Sequence, residues 1–477
     1  MGASMAKGPL ESDCASHHQF KETSAFWYED DTNAGLGLLS MRAYKNARGN
    51  STYNLVSSMR NVEAKFLGTL VFVVGFALSH WLFHPLFKEQ PRPNSKPRLA
   101  VLDNAKFIVM IFVVAVHTDG MPKEQTIYFH TRLLAMISGF VLRNRKPNRQ
   151  GIRSLLVPHV FGLLLFVAVL GPMSLSLLVH RYDGHRKLTD FWDQTPRSTG
   201  GWLELIYNDF YFPWQEKTGT HIWYMEALIL WQICGFLLFP LPPGKCLLIS
   251  LAGYFLVWRL PPIPFAVSTT LTFLPFFFLG RLLPVERCLE LLPELGARSL
   301  GAGVAIMTCL YYIQQTPLVL SLFDITDRGP DTDDHVRQGY FERGNVAPWE
   351  ELGKSVFFSC VQLLNSFVFM VFLCPRSASW YTELGKHSLY TYHLHQIAIS
   401  AGGLKLERYL NITMGNPPWL HMTTYFVWGT FLNALLACCH YFPPFRWILE
   451  PMWINDLVDQ LAPGIFEEPG KKAEGSE

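Results

Sequence analysis

Two ionisable side chains, Lys106 and His117, stand at the ends of an apolar run within 98–117, and Asp103 precedes the lysine by three residues. Between them, 107–116 carries no polar side chain. A helix turns about 100° and rises about 1.5 Å per residue, which places Lys106 and His117 within roughly 20° of one face and about 16 Å apart. An imidazole that titrates near neutrality can take a proton from a hydroxyl or accept an acyl group as a nucleophile. The lysine can pair with Asp103 or hold an anionic ligand. Ionisable groups on a membrane helix are costly unless they meet water, a partner or a substrate. The plain alternative is two boundary groups reaching towards opposite interfaces.

Other residues extend this set. His221 and Trp223 open a later apolar run, and Glu226 lies inside it, where a carboxyl calls for a His or Arg in the bundle. The alternative for His221 is an interfacial residue beside a belt tryptophan. His393 and His395 are two apart, so on a helix at most one of them faces a given site. The 143–153 loop holds Arg143, Arg145, Lys146, Arg149 and Arg153 and no acid. Paired guanidinium donors suit phosphate, and the same charges serve equally as a topology signal. Gly280-Arg281 reads as a cytosolic border. The aromatics in 180–219 suit sugar rings or an interfacial segment.

The elements that must carry these residues are membrane helices. The 477 residues include 40 basic and 38 acidic ones, so net charge gives no sign of nucleic-acid binding. Charged residues make up 16% of the chain, against roughly 25% in soluble domains. The apolar residues cluster into runs long enough to cross a bilayer, which takes about 20 helical residues. The expected fold is all-α: a polytopic transmembrane bundle of about ten helices with one extra N-terminal span. Spans are expected at 99–117, 125–142, 153–179, 220–240, 245–259, 264–283, 298–322, 353–374, 381–402 and 419–441, after a first at 65–87. Residues 1–64 read as a disordered tail, 65–97 as the extra span and a basic linker, and 98–445 as the main domain. Residues 446–477 read as an interfacial helix and a charged tail. There is no Cys-x-x-Cys, and eight of the nine cysteines lie in or beside apolar runs, as packing residues rather than disulfides or a metal site.

Lys/Arg asymmetry puts the 143–153 loop and the 88–98 linker in the cytosol. Alternation then turns 118–124, 180–219, 323–352 and 403–418 to the lumen or exterior. Two glycosylation sequons, at Asn50 and Asn411, fall on that far side. His117 is therefore expected near the lumenal end of its helix and Lys106 nearer the cytosol.

Five stretches, taken in order, resemble the acyltransferase-3 family of membrane O-acyltransferases. Leu102-Asp103-x-x-Lys106, ten residues, then His117 resembles its opening signature. Ser138-Gly139-Phe140 resembles its Ser-Gly-Phe. The segment 149–158 resembles the basic stretch ending in Leu-Val-Pro. His221-Ile222-Trp223-Tyr224-Met225 resembles its His-Leu-Trp-Phe-Leu. The run 384–395 resembles the late Leu-Gly-x-x-Ser-x-x-x-Tyr-x-x-His. The likeness covers about 98–445. One departure is that the family often has Arg-x-x-Arg in the basic loop, whereas Arg149 and Arg153 are four apart and Gln150 holds the expected first place.

The resemblance implies transfer of an acyl group, usually acetyl, from cytosolic acyl-CoA to a hydroxyl of a carbohydrate or glycolipid on the far side. On the matched positions it implies His117, Lys106, Asp103, His221 and His395 as catalytic residues, and Arg149, Arg153 and Trp223 as donor-binding residues. It implies acyl-CoA as donor substrate and no metal. The partners expected are acyl-CoA, the acceptor and membrane lipid, without nucleic acid. The sequons and the tail point to a multi-pass protein of a eukaryotic secretory-pathway or plasma membrane. The alternative is a proton-coupled transporter using Lys106, His117, Glu226 and His395 as a relay. The missing internal repeat counts against it.

Overall fold

The computed structural model describes residues 51–83, 100–117, 129–143, 155–156, 158–160, 223–260, 267–284, 287, 296–314, 349–399 and 418–450. Among these there is no strand; the ordered elements are helices. They are α1 (Ser51–Phe83), α2 (Ala100–His117), α3 (His130–Val141), α4 (Trp223–Leu237), α5 (Pro243–Val257), α6 (Val267–Leu282) and α7 (Ala297–Gln314). There follow α8 (Trp349–Val368), α9 (Thr382–Lys386), α10 (Ser388–Ala398), α11 (Pro418–Cys438) and α12 (Pro443–Leu449).

The apolar run that begins after Lys106 makes α2 the central helix: Phe107, Ile108, Val109, Met110, Ile111, Phe112 and Val114 are all buried. Its neighbours can be read off residue by residue. Phe112 lies against Phe129 at the start of α3 (5.5 Å between ring centroids), while Leu102 shares a small apolar cavity with Phe140 at its end, so α3 runs antiparallel to α2. On α11, Asn433 Nδ2 donates to Phe107 O (2.9 Å) and Phe426 packs on Phe112, again antiparallel. On the α9–α10 side, Gly385 abuts Asp103, and Val114 clusters with Tyr390 and Leu394; this pair is parallel. A Cβ at Gly385 would overlap the Asp103 carbonyl oxygen, so the Leu-Gly of the late signature has a steric reason.

A second layer is built on α6. Trp223, Trp231 and Gly235 of α4 meet Phe273, Phe277 and Arg281 in that order, so α4 and α6 are parallel. On α3, Arg132 lies over Phe273 and Phe276, and just past its end Arg143 donates to Leu283 O (3.2 Å). Added Cβ atoms at Gly139 and Gly280 would each overlap backbone of the other helix, at Phe277 and Met136. The two helices thus cross backbone to backbone, in the small-residue packing that membrane helices favour. Gly280-Arg281 is therefore part of this crossing rather than a bare border, and Arg281 is buried.

Several boundaries differ from those read in the sequence. Helix α1 begins at Ser51, inside the expected 1–64 tail, since a long apolar helix propagates backwards at little cost per residue. The expected 381–402 span is two helices, α9 and α10, which meet at His387, where the α9 backbone is drawn against α2. Helix α8 ends in a π-turn, Phe369–Leu373, with Cys374 N–H donating to Phe369 O five residues back (2.8 Å). Among the described residues, two segments, Phe66–Phe83 and Trp349–Leu373, are long and apolar enough to cross a membrane; α4, α5, α6 and most of α7 are shorter apolar helices. The bulk of the expected 153–179 span and of the 446–477 segment lies outside the described residues.

Candidate active site

Asp103 and Lys106 occupy the first turns of α2 and form an ion pair of 2.7 Å, with the carboxyl almost wholly buried. The next residue, Asn104, anchors the same turn. Its Nδ2 donates to Pro375 O (2.9 Å) and Ser377 O (3.0 Å), and its Oδ1 accepts from Thr382 Oγ1 (2.5 Å). Thr382 Oγ1 in turn accepts from Ser379 N–H (2.7 Å). The Asp103 turn is thus tied into the connection between α8 and α9. His117 closes α2, about 16 Å further along the axis by helical rise. Arg149, Arg153 and His221 lie outside the described residues.

Trp223 opens α4 and stacks on Phe273 at 5.5 Å. Beside it, Tyr224 N–H, one of the amides that a helix start leaves without an intrahelical acceptor, donates to Tyr392 Oη of α10 (3.1 Å). Ser138 Oγ donates to Leu134 O (2.9 Å), which commits its single proton, so the 3.1 Å contact with Tyr224 has the tyrosine hydroxyl as donor. Ser138, Tyr224 and Tyr392 therefore link α3, α4 and α10 by one chain of hydrogen bonds.

One turn of α10 carries both its histidines. His395 is buried, and its Nδ1 faces Tyr392 O at 2.7 Å and Thr391 O at 3.2 Å. His393 Nδ1 faces Leu389 O at 2.9 Å. A carbonyl at Nδ1 requires N–H there and leaves the lone pair on Nε2, the tautomer a base needs. His393 lies within electrostatic reach of His159, and Tyr392 within reach of Glu226. Glu226 Oε1 approaches His159 Nε2 at 3.4 Å. A histidine partner for Glu226 is what a carboxyl inside an apolar run demands. Its identity was not readable in the sequence, because the two are far apart in the chain. The available signal was a histidine directly after Pro158, at the opening of an apolar run.

The structure thus brings Ser138, His159, Trp223, Tyr224, Glu226, Tyr392, His393 and His395 into one neighbourhood of the bundle, and keeps Asp103 and Lys106 together at the start of α2. The acyltransferase domain model matches residues 99–438, more than two thirds of the chain. The chain belongs to the acyltransferase-3 family. No curated protein and no solved structure matches it. The match opens one residue before α2 and closes on the last residue of α11, so in this acyltransferase the family domain leaves out α1 and α12. The matched signature residues divide between helix packing and the buried polar neighbourhood. Gly139 and Gly385 set helix approach, whereas Ser138, Trp223, Tyr392 and His395 line or border the polar neighbourhood.

Proposed function

We propose that this membrane acyltransferase moves an acyl group, acetyl in the simplest case, from cytosolic acyl-CoA to a hydroxyl of a carbohydrate or glycolipid on the lumenal or outer side. The observation that carries the reading is the buried polar neighbourhood joining α3, α4 and α10 within an acyltransferase-3 domain. In this scheme the basic loop, with Arg149 and Arg153, holds the donor phosphates through paired donors. Trp223 borders the donor. His117 acts on the acceptor hydroxyl as base or accepts the acyl group itself. Lys106, oriented by Asp103, supplies a fixed positive charge on the cytosolic part of the same helix. His221 and His395 complete the acceptor side.

The helix directions support a multi-pass arrangement of the expected sense. Helices α3, α4 and α6 run parallel to one another, α2 and α10 run parallel to each other, and α2 opposes α3. Parallel α3 and α4 need one intervening transit, which is the number expected from 153–179. Outward rows of Leu67, Val71, Leu78 and Leu82 on α1, and of Val427, Phe431 and Leu435 on α11, repeat at helical spacing, as lipid-facing stripes do.

The test is transfer of radiolabelled acetyl from acetyl-CoA to a mixed glycan extract by membranes holding the chain, wild type beside His117→Ala. The expected result is label in glycan with the wild type and at least about a hundredfold less with the variant at equal expression. Equal labelling would remove His117 from the chemistry. No transfer with acetyl, succinyl or longer donors would overturn the reading.

A further inference from the structure

Three ionisable groups that hold none of the named signature positions come together in the bundle. Glu226, His159 and His393 are only 7%, 2% and 8% exposed. Both carboxyl oxygens of Glu226, both ring nitrogens of His159 and Nε2 of His393 are enclosed, with no hydrogen-bond partner among the described residues beyond the 3.4 Å approach of Glu226 to His159. Burying such groups unsatisfied costs several kcal/mol in an apolar medium. A site that keeps three of them is built for something that arrives.

Their level in the bundle says what arrives. Ser138, bonded to Tyr224 two residues from Glu226, lies five residues, about 8 Å of helix, before Arg143 and the basic loop. His159 follows Arg153 by six residues on the other side of that loop. On the other side, His393 lies between Tyr390 and Leu394, which cluster with Val114, three residues, about 4.5 Å of helix, before His117. The cluster thus extends from the Ser138 end of α3, which leads into Arg143, towards the His117 end of α2.

We propose that Glu226 and His159 protonate the departing thiol of the acyl donor. The proposal rests on the acyltransferase reading above. The acceptor oxygen adds to the thioester carbonyl and its proton passes to His117. The tetrahedral centre then breaks its C–S bond, and the electron pair leaving with sulfur takes the proton shared by Glu226 and His159. The products are the ester and a free thiol. The dyad regains a proton from water as the thiol departs, and His117 releases the one it took. Division of labour between two groups meets a need of the chemistry, since the attacking oxygen loses a proton while the departing sulfur, bound to the same carbon, takes one up.

The experiment uses membranes holding the full chain and two donors, acetyl-CoA and the acetyl thioester of 4-nitrothiophenol, whose acidic thiolate leaves without protonation. With acetyl-CoA, Glu226→Gln and His159→Gln are expected to lower kcat about a hundredfold with KM little changed. His393→Gln should lower it less, and Glu226→Asp should recover part of the loss. With the aryl thioester, the variants should approach the wild type. Equal losses with both donors, at equal yield of monodisperse protein, would assign the cluster to packing and overturn the proposal. Full activity of Glu226→Gln with acetyl-CoA would overturn it too. A wild type inert with both donors would overturn the acyltransferase reading itself, an outcome separate from failure of the dyad alone.

Discussion

At the scale of single residues, the hydroxyl of Tyr392 and the hydroxyl of Tyr224 do different work, although both lie in the same chain of hydrogen bonds. Tyr392 Oη receives the Tyr224 backbone N–H, and so closes a helix start that has no acceptor of its own. Tyr224 Oη only adds a bond to Ser138, whose proton is already committed to Leu134. Tyr392→Phe strands a backbone donor inside the bundle and should destabilise the protein by about 1–3 kcal/mol, the desolvation penalty of an unsatisfied group. Tyr224→Phe removes the tyrosine side of its bond and should cost about 0.5–1.5 kcal/mol. Thermal unfolding of the two variants in detergent checks the order. A larger loss for Tyr224→Phe would mean that α4 does not depend on α10 for its start. The same asymmetry explains what could be read from sequence at this scale. Asp103 and Lys106 are three apart on one helix, so their pairing follows from local geometry. The partner of Glu226 and the bond between Tyr224 and Tyr392 join distant parts of the chain, and no local rule reaches them.

At the scale of elements, close approach of backbones is set by glycines that look interchangeable in the sequence. Gly385 is pressed against the Asp103 carbonyl, where α9 crosses the start of α2, whereas a Cβ at Gly301 on α7 meets nothing within 4 Å. Gly385→Ala must push α9 off α2 and disturb the turn holding Asp103, Asn104 and Lys106; a loss of about 1–3 kcal/mol is expected, as for other overpacked sites. Gly301→Ala only reduces the freedom of the unfolded chain and raises helix propensity, so it should stabilise by roughly 0.5–1 kcal/mol. Melting temperatures that move in opposite directions would show this contrast, and a neutral Gly385→Ala would place α9 farther from α2 than described. Helix existence was largely legible, because apolar runs flanked by Pro, Gly and charge announce themselves: α2, α6 and α11 lie within a few residues of the runs that predict them. The break at His387 was not legible. It arises from the docking of Gly385 on another helix, and 381–402 taken alone reads as a single apolar run.

At the scale of the whole molecule, α1 is the element whose purpose the sequence did not show. It lies ahead of the family-matched domain, yet it packs into that domain's own core. Phe72 stacks on Phe426 at 4.2 Å and meets Phe112 edge-on, and Phe66 stacks on Tyr311 at 3.9 Å. Phe76 reaches Phe107, Trp380 and Tyr381, while His80 meets Ser377 Oγ at 3.3 Å. The same helix thus touches α2, α7, α11 and the α8–α9 connection, and its run antiparallel to α2 follows the order Phe72 to Phe112 and Phe76 to Phe107. The opposite face, with Leu67, Val71, Leu78 and Leu82, points outward. An added span that only anchored the chain would not be expected to interleave aromatic rings with three other helices. Each large apolar side chain stripped of cover is worth about 1.5–3 kcal/mol against water, and somewhat less against lipid, where packing rather than hydrophobic transfer holds helices together. Removing α1 would uncover Phe107, Phe112, Tyr311 and Phe426 together, a loss comparable with the whole stability of a typical domain. A chain starting at residue 98, which keeps the entire family match, should therefore be recovered as aggregate or at greatly reduced yield, and α1 supplied as a separate polypeptide should restore part of it. Size-exclusion chromatography of fluorescent fusions makes the comparison. A monodisperse, active 98–477 chain would show that α2, α7 and α11 hold together without their N-terminal cover, and would reduce α1 to an anchor.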